Sequence, residues 1–288
     1  MKNFKKIILL FLVSFIIGSC KTETPVGEFK PNVDYFTVSN KPKPLWNELD
    51  YLCEQIYKDY GVKIIYEYSP QTIAGTTFFT PPDYTKALNY TRIVLLGFWL
   101  KPLKEKFPLY FSKETPIEFV LAGGFIHFND ITTAGAAAGA GMNAQFYRLG
   151  MGGVNNFDKA NKAWLFDHIV TLYHEHAHQQ DHKYGRGFDF DRISVGTYYG
   201  SSYSSKSLAT ANADGFTTAY GGYAPEEDFA TTVENIARST KANVDVLLTK
   251  NPKLVTKYRY IDNFYSTRGM DLYKLHDVLD SVVYRTNY

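Results

Sequence analysis

The segment TLYHEHAHQQDH, residues 171–182, holds four of the chain's seven histidines, and a fifth, His168, lies just before it. Apolar residues recur around this segment with the period of an α-helix, which predicts one helix from Asp158 to Tyr184 with Gly185 at its C-cap. The apolar residues form one face and one flank of that helix: Leu165, Ile169, Leu172, Phe166, Val170, Tyr173 and Ala177. The helix must therefore bury one side and turn its histidine side towards a cleft, and the rest of the chain has to fold around it.

His174, Glu175 and His178 form the pattern H-E-x-x-H. Residues four apart lie about 40° apart on one helix face, so both imidazoles can reach one Zn²⁺ ion. Glu175, about 100° round from His174, lies beside the metal and can accept a proton from a zinc-activated water as general base. His176, about 160° round, cannot bind the same ion, and we interpret it as a histidine of the core or one bonded behind the ligands. Asp181 is a candidate for orienting a ligand imidazole through its free N–H.

The third ligand is not fixed by this helix. A catalytic zinc ion usually has three protein ligands and one open position for water. Asp181 and Tyr184 exclude the metzincin continuation, which needs Gly and His at those positions. Two acidic sites remain: Asp214 in NADGF, and the cluster 226–228 at the start of a predicted helix with Pro225 in its first turn. The rigid first turn favours a glutamate of the cluster over Asp214, although acidic residues there also suit the helix dipole without any metal.

The N-terminal sequence MKNFKKIILLFLVSFIIGSC has three lysines and then an apolar run of 11 residues, Ile7 to Ile17. A membrane-spanning helix needs about 20 apolar residues, so the run is typical of a signal peptide. It ends in IGSC, which resembles the lipobox of bacterial lipoproteins, where the chain is cut before the cysteine and the cysteine is acylated. We predict a signal peptide over 1–19, a lipid-anchored tether over 20–42, and export to the outer membrane with Cys20 as anchor. The sequence does not distinguish the periplasmic face from the cell-surface face.

Removal of residues 1–19 also changes the charge balance. The remaining chain has 28 basic and 29 acidic residues, and no basic stripe, which argues against nucleic acid as a partner. With Cys20 acylated, Cys53 is the one cysteine left, so no intramolecular disulfide is expected. Cys53 lies in a helical pattern and is predicted to pack in the core.

The rest of the pattern predicts a single α+β domain over 43–288, with a small mixed sheet and a helical C-terminal half. Helices are predicted at 45–60, 83–104 and from 225 onward, and strands at 62–68 and 116–125. The Gly/Ala run 134–141 is expected to be a loop, and 186–215 to be irregular. A short edge strand is expected within 143–150, where 145–150 can pair with an extended substrate.

The sequence HEHAH followed by DGFTTAYGGYAPEEDFATTVE resembles the zinc-binding metallopeptidase lipoproteins, also called substrate import-associated zinc metallohydrolases. These are encoded beside outer-membrane import systems of gut-type bacteria. The segments VKIIYEY, TPPDYTKALNY and RGMDLYKLHDVLDSVV extend the resemblance over nearly all of the chain from about residue 43. The family pattern is HExxH, then G-F-x-x-x-Y-A, then E-D-F-A-E, whose first Glu is taken as the third ligand. The resemblance therefore implies a zincin-like fold of gluzincin type in which Glu227 joins His174 and His178.

The chain departs from this family pattern at two positions. Gly221 stands where the pattern has Ala, and Thr231 stands where it has the second Glu, so a carboxylate one turn beyond Glu227 is missing. The resemblance also implies a role for Tyr220, seven residues before Glu227. Some related gluzincins carry a tyrosine at this offset, and its hydroxyl donates to the oxyanion of the reaction. The alternative is that Tyr220 is a packing residue, one of 23 tyrosines.

Together these features predict a zinc-dependent hydrolase, a metallopeptidase that cleaves peptide bonds with Glu175 and Tyr220 as catalytic residues and Zn²⁺ bound by His174, His178 and Glu227. The expected partners are a peptide or protein substrate, the membrane through the lipid anchor, and an outer-membrane import complex. The main alternative is a non-catalytic or weakly catalytic surface lipoprotein that is accessory to a nutrient-import complex. A hydrolase of amides other than peptides is a second alternative.

Overall fold

A mixed four-stranded sheet, in the spatial order β1-β3-β6-β5, forms the main β part of the fold. The computed structural model describes residues 38–39, 41–67, 77–128, 131–132, 135–136, 138–140 and 147–286. The strands are β1 (Lys63–Ile65), β2 (Thr77–Phe78), β3 (Glu118–Leu121), β4 (His127–Phe128), β5 (Ala138–Ala140) and β6 (Arg148–Met151). Strands β1, β3 and β6 run parallel, β5 is antiparallel to β6, and β2 and β4 form a separate antiparallel pair. The predicted small mixed sheet is confirmed, whereas the predicted signal peptide and most of the tether lie outside the described residues.

Strand β5 shows that the expectation of a loop over the Gly/Ala run was wrong. Ala138 pairs with Met151 of β6, and Gly139 pairs with Gly150. This pairing depends on a partner strand, which the local composition does not reveal. Small residues are needed because the strand passes close to an aromatic ring: a Cβ atom on Gly139 would lie 2.3 Å from Cζ of Phe128.

Strand β6 lies inside the sheet, between β3 and β5, so the expectation of an edge strand over 143–150 was also wrong. All four residues of β6 are buried. Its backbone is paired on both sides, so residues 148–150 cannot receive an extended substrate. Residues 143–146 lie outside the described residues. Among the strands that the structure describes, the edge on that side of the sheet belongs to β5.

Helices make up most of the described residues before β3. They are α1 (Glu48–Tyr60), α2 (Tyr84–Tyr90), a π-helical segment (Thr91–Leu100), α3 (Lys101–Lys106) and α4 (Pro108–Glu114). Asn47 and Asp50 form a reciprocal cap at the start of α1, and Gly61, with φ of 73°, ends it. The predicted helix over 83–104 corresponds to the unbroken run from α2 to α3. Cys53 is a free, buried thiol, as expected.

Helix α5 (Lys162–Tyr184) is the central element of the fold. It begins four residues later than predicted because Asn161 is its N-cap, with its side chain accepting a hydrogen bond from Trp164 N at 3.1 Å. Its predicted apolar face is confirmed by Leu165, Ile169 and Leu172, which are fully buried. Helix α5 contacts β5 and β6, and the C-terminal helices pack against it.

The C-terminal half is helical, as predicted. Its helices are α6 (Phe188–Asp191), α7 (Leu208–Asp214), α8 (Pro225–Arg238), α9 (Lys241–Leu248), α10 (Pro252–Ser266) and α11 (Leu272–Tyr284), with 3₁₀ turns at Gly200–Ser205 and Tyr220–Gly222. The segment 186–215 is thus more regular than expected. Helix α8 makes its most extensive contact with α5. Over the ranges that the structure describes, no helix has the length and hydropathy required to cross a membrane.

Candidate metal centre

The three predicted ligand residues meet where α5 and α8 pack together. His174 and His178 lie on successive turns of α5, and Glu227 lies in the first turn of α8. The Nε2 atoms of the two imidazoles are 3.2 Å apart, and Oε2 of Glu227 is 3.3 Å from Nε2 of His174 and 3.4 Å from Nε2 of His178. Tetrahedral zinc with bonds of about 2.1 Å separates neighbouring ligand atoms by about 3.4 Å. The three atoms are therefore spaced as three corners of a zinc site.

The charges in this group also suit a cation. Oε2 of Glu227 is buried and makes no hydrogen bond of acceptable geometry, although it faces both imidazoles. Burial acts to raise the pKa of Glu227, but His174 and His178 outweigh it and lower that pKa to about 2, so the carboxylate is ionised. Burial acts to lower the pKa of His174, but the carboxylates of Glu227 and Glu234 outweigh it and raise that pKa to about 10. The negative charge of Glu227 and Glu234 that produces this shift is also the charge that a divalent cation between these side chains would meet.

A buried ion pair fixes the first turn of α8. Asp228, next to Glu227, and Lys257 of α10 both have fully buried side chains, and Nζ of Lys257 lies 2.7 Å from Oδ2 of Asp228. The same Nζ donates to the carbonyl oxygen of Gly215 at 2.6 Å, and the hydroxyl of Tyr198 donates to Asp228 at 3.0 Å. Burial raises the pKa of Asp228 to about 6 in spite of Lys257. This network holds the turn that carries Glu227 in one orientation.

Glu234 binds the far side of His174, a contact that sequence reasoning missed. Its Oε2 accepts a hydrogen bond from Nδ1 of His174 at 2.9 Å, and its Oε1 accepts one from Nη2 of Arg238 at 3.0 Å. Arg238 in turn binds Asp167 of α5. A carboxylate in this position keeps the proton on Nδ1, so Nε2 is the nitrogen that gives up its proton when a metal ion binds.

Glu234 supplies a carboxylate on α8 in place of the family's second Glu, which is Thr231 in this chain. Thr231 lies one turn after Glu227 and has no carboxylate, but Glu234 lies two turns after Glu227 on the same face of α8. The seven-residue spacing from Glu227 was the available sequence signal. It identifies a shared face, but it does not show that this face meets His174.

A cleft of about 900 Å³ opens in front of the group. Its lining includes His174, Glu175, His178 and Glu227, and also Phe128, Ala136, Ala138 and Gly139. Glu175 therefore lies beside the two histidines in the same cleft, as the pattern predicts. Its volume is within the range of ligand-binding clefts, and all three ligand residues line it.

Tyr220 also lines the cleft. Its ring lies 6.3 Å from the ring of His174, with 21° between their planes, and the residue is 40% exposed. Burial and the nearby carboxylate of Glu227 raise the pKa of Tyr220 above its ordinary value. Tyr220 therefore keeps its proton at neutral pH and can act as a hydrogen-bond donor.

The other polar candidates lie elsewhere. His176 is buried in the core, as predicted, with Nε2 2.7 Å from the carbonyl oxygen of Glu114. Asp181 does not orient a ligand imidazole; its carboxylate accepts from the backbone and the guanidinium of Arg186. Asp214 lies at the end of α7 and accepts from the hydroxyl of Tyr199 at 2.7 Å, and it does not belong to the metal-binding group. The structure therefore brings the glutamate alternative to the histidines, and not the aspartate.

The fold is similar to a crystal structure described as that of a putative zinc-binding metallo-peptidase from Bacteroides caccae, with a TM-score of 0.63. The two chains are 21% identical, and the match covers 81% of this chain and 90% of that one. At this level of identity the likeness concerns the fold. No curated protein matches the chain.

An α+β fold whose cleft holds a His-His-Glu group on two packed helices has the ligand set of a zinc-binding protein. The sequence profile of the family described as "putative zinc-binding metallo-peptidase" matches residues 46–270, and the chain belongs to this family. The resemblance stated from the sequence is confirmed, and zinc as the cofactor agrees with both the family and the group of three ligand atoms.

Proposed function

We propose that the protein is a zinc-dependent peptidase that hydrolyses peptide bonds, with His174, His178 and Glu227 as its zinc ligands. The observation that supports this best is the triangle of two Nε2 atoms and one Oε2 atom, 3.2 to 3.4 Å on a side, in a cleft that Glu175 also lines. Purely structural zinc sites are closed by a fourth protein ligand. Here all three ligand residues line an open cleft, which is what a catalytic site requires.

The residues around the cleft divide the chemistry between them. Bound zinc would polarise the substrate carbonyl and acidify a water. The carboxylate of Glu175 takes a proton from the attacking water and passes it to the leaving amine. The hydroxyl of Tyr220 donates a hydrogen bond to the oxyanion that forms at the carbonyl carbon. Glu234 holds the Nδ1 proton of His174, so that this imidazole stays in the tautomer that binds metal.

Strand addition to β5 is the proposed way of holding the substrate. Ala138 and Gly139 of this edge strand line the same cleft as His174 and His178 of α5. An extended peptide that pairs with the edge gains main-chain hydrogen bonds and passes in front of the histidines.

For localisation we propose export and attachment to the outer membrane through acylated Cys20, in the neighbourhood of a nutrient-import complex. The IGSC sequence supports the anchor at Cys20, and the family resemblance supports the import complex. Metabolic labelling with a radioactive fatty acid tests it, because a Cys20→Ser variant should lose the label. A labelled Cys20→Ser variant would contradict the anchor.

The proposed function is tested by zinc analysis and peptide cleavage on the same preparations of the full chain. We expect about one zinc ion per chain, lost in Glu227→Ala and kept in Asp214→Ala. Glu175→Gln should keep zinc and lose about 10²- to 10⁴-fold in turnover of a peptide library, whereas Asp214→Ala should keep both. A zinc-loaded chain that cleaves no peptide would favour the accessory lipoprotein or a hydrolase of other amides. Equal turnover in Glu175→Gln would refute the assigned base.

A further inference from the structure

The turn that carries Tyr220 is clamped from two sides. The 3₁₀ turn Tyr220–Gly222 packs against α8, where a Cβ atom on Gly221 would lie 2.5 Å from Oγ1 of Thr231. On the other side, the backbone N–H of Tyr199 donates to the carbonyl oxygen of Gly222 at 2.7 Å, and a Cβ atom on Gly222 would lie 2.3 Å from the Tyr199 ring. The two glycines let the backbone of the turn approach both neighbours closely.

The side chain of Tyr220 is held by two further tyrosines. The ring of Tyr223 stacks with that of Tyr220, at 6.1 Å and 12°. The ring of Tyr203, from the 3₁₀ turn Gly200–Ser205, meets Tyr220 edge-on at 5.2 Å and Tyr223 edge-on at 5.5 Å. These three rings each contact the other two, while the opposite neighbour of Tyr220 is His174. Tyr203 and Tyr223 do not line the cleft themselves.

Tyr220 and Tyr223 are 40% and 41% exposed, so burial alone does not fix the positions of their rings. A tyrosine side chain that is this exposed loses little by changing its rotamer unless neighbouring rings restrict it. An oxyanion donor, however, has to be aimed before the charge develops, and a misplacement of about 1 Å can cost on the order of 10²-fold in rate.

We infer that Tyr203 and Tyr223 are positioning residues that hold the ring of Tyr220 against the metal centre, so that its hydroxyl is aimed at the oxyanion. The inference rests on the proposed function. It assigns the hydroxyl of Tyr220 to the reaction and only the rings of Tyr203 and Tyr223 to its support.

The test is a double-mutant cycle on the zinc-loaded full chain, read by kcat, by KM and by calorimetric affinity for a peptide phosphonate, which imitates the tetrahedral oxyanion. Tyr220→Phe should lower kcat by about 10²- to 10³-fold. Tyr223→Ala and Tyr203→Ala should lower kcat by about tenfold with KM unchanged, since each removes one ring contact. Tyr223→Phe and Tyr203→Phe should restore the parent rate. In the Tyr220→Phe background, Tyr223→Ala should have no further effect.

Tyr51→Ala is the matched control. Tyr51 lies on α1 and is half exposed, and its ring meets the ring of Trp46 edge-on at 5.4 Å. It should leave kcat and phosphonate affinity unchanged. A tenfold loss from Tyr223→Ala that persists in the Tyr220→Phe background, or one that is expressed in KM, would overturn the inference and leave the peptidase function intact. A parent chain that neither turns over peptides nor binds the phosphonate would overturn the proposed function as well. If only turnover is absent, the same cycle is read from phosphonate affinity.

Discussion

Removal of the Glu234 carboxylate is expected to weaken zinc binding without touching any ligand. The bond from His174 Nδ1 to Glu234 Oε2 is 2.9 Å long and joins an imidazole to an ionised carboxylate, which Arg238 holds from its other side. Loss of such a partner typically costs 10- to 100-fold in metal affinity, or about 1.4 to 2.7 kcal/mol. Glu234→Gln keeps an amide oxygen as acceptor and loses only the charge, so we expect about tenfold. Glu234→Ala also leaves Arg238 without its partner on α8, so we expect about 100-fold.

The assay is competition for zinc with a chromophoric chelator, at fixed pH and ionic strength. Glu226→Gln is the matched control, because Glu226 lies on the same helix and lines the same cleft but is exposed and contacts no ligand imidazole. It removes the same charge from α8, and its zinc Kd should stay within about threefold of the parent value. If Glu234→Gln and Glu234→Ala both bind zinc within threefold of the parent, the hydrogen bond behind His174 does not support the metal and the reasoning fails.

Three predictions concern stability. Lys257→Met leaves the buried Asp228 charge unpaired and should lower the free energy of unfolding, measured in urea, by about 3 to 5 kcal/mol. The double variant with Asp228→Asn should recover at least half of that loss. A loss under 1 kcal/mol in the single variant would contradict this. Burial lowers the pKa of His168 from 6.5 to about 4, so the unfolded chain takes up its proton first as pH falls, and stability should drop between pH 6.5 and 4 by about 3 kcal/mol. His168→Gln, measured by urea unfolding in chelator at pH 7 and pH 4, should abolish that part of the loss, and an unchanged loss would count against it. Gly221→Ala should lower the free energy of unfolding by about 1 to 3 kcal/mol, because the added Cβ meets Thr231 Oγ1. Thr231→Ala in the same chain should recover part of this loss. Strictly additive effects of the two changes in thermal unfolding would exclude the clash.

The sequence predicts the parts of the site that depend on one helix. The four-residue spacing of His174 and His178 and the adjacent Glu175 determine their shared face, whatever the rest of the chain does. The rigid first turn of a helix favoured a glutamate of the cluster 226–228 over Asp214, and the resemblance selected Glu227 within that cluster. Spacing along the chain does not say which distant turn reaches α5. Glu234 was missed for the same reason, since its contact depends on how α8 is rotated against α5.

The sheet also contains an element that local sequence does not predict. The run AAGAG that contains β5 has a composition typical of loops, and it is a strand because β6 pairs with it. The edge position was therefore assigned to the wrong segment. The strands β1 and β3 each contain β-branched or aromatic residues, Ile64 and Ile65 in β1 and Phe119 and Val120 in β3. They could be predicted from local pattern alone, to within a few residues of their ends.

The position of the ligands on two helices has a consequence for the whole C-terminal half. His178 and Glu227 are separated by about 50 residues of chain, and zinc bound between them would cross-link α5 to α8 in the way a disulfide does. Closing a loop of that length removes unfolded-state entropy worth about 4 kcal/mol at 25 °C in the chain-entropy description. The enclosed loop carries Tyr203, Tyr220 and Tyr223. Metal binding and the folding of the segment that carries this tyrosine cluster are then coupled, so the supply of zinc would set how firmly Tyr220 and its side of the cleft are held in place.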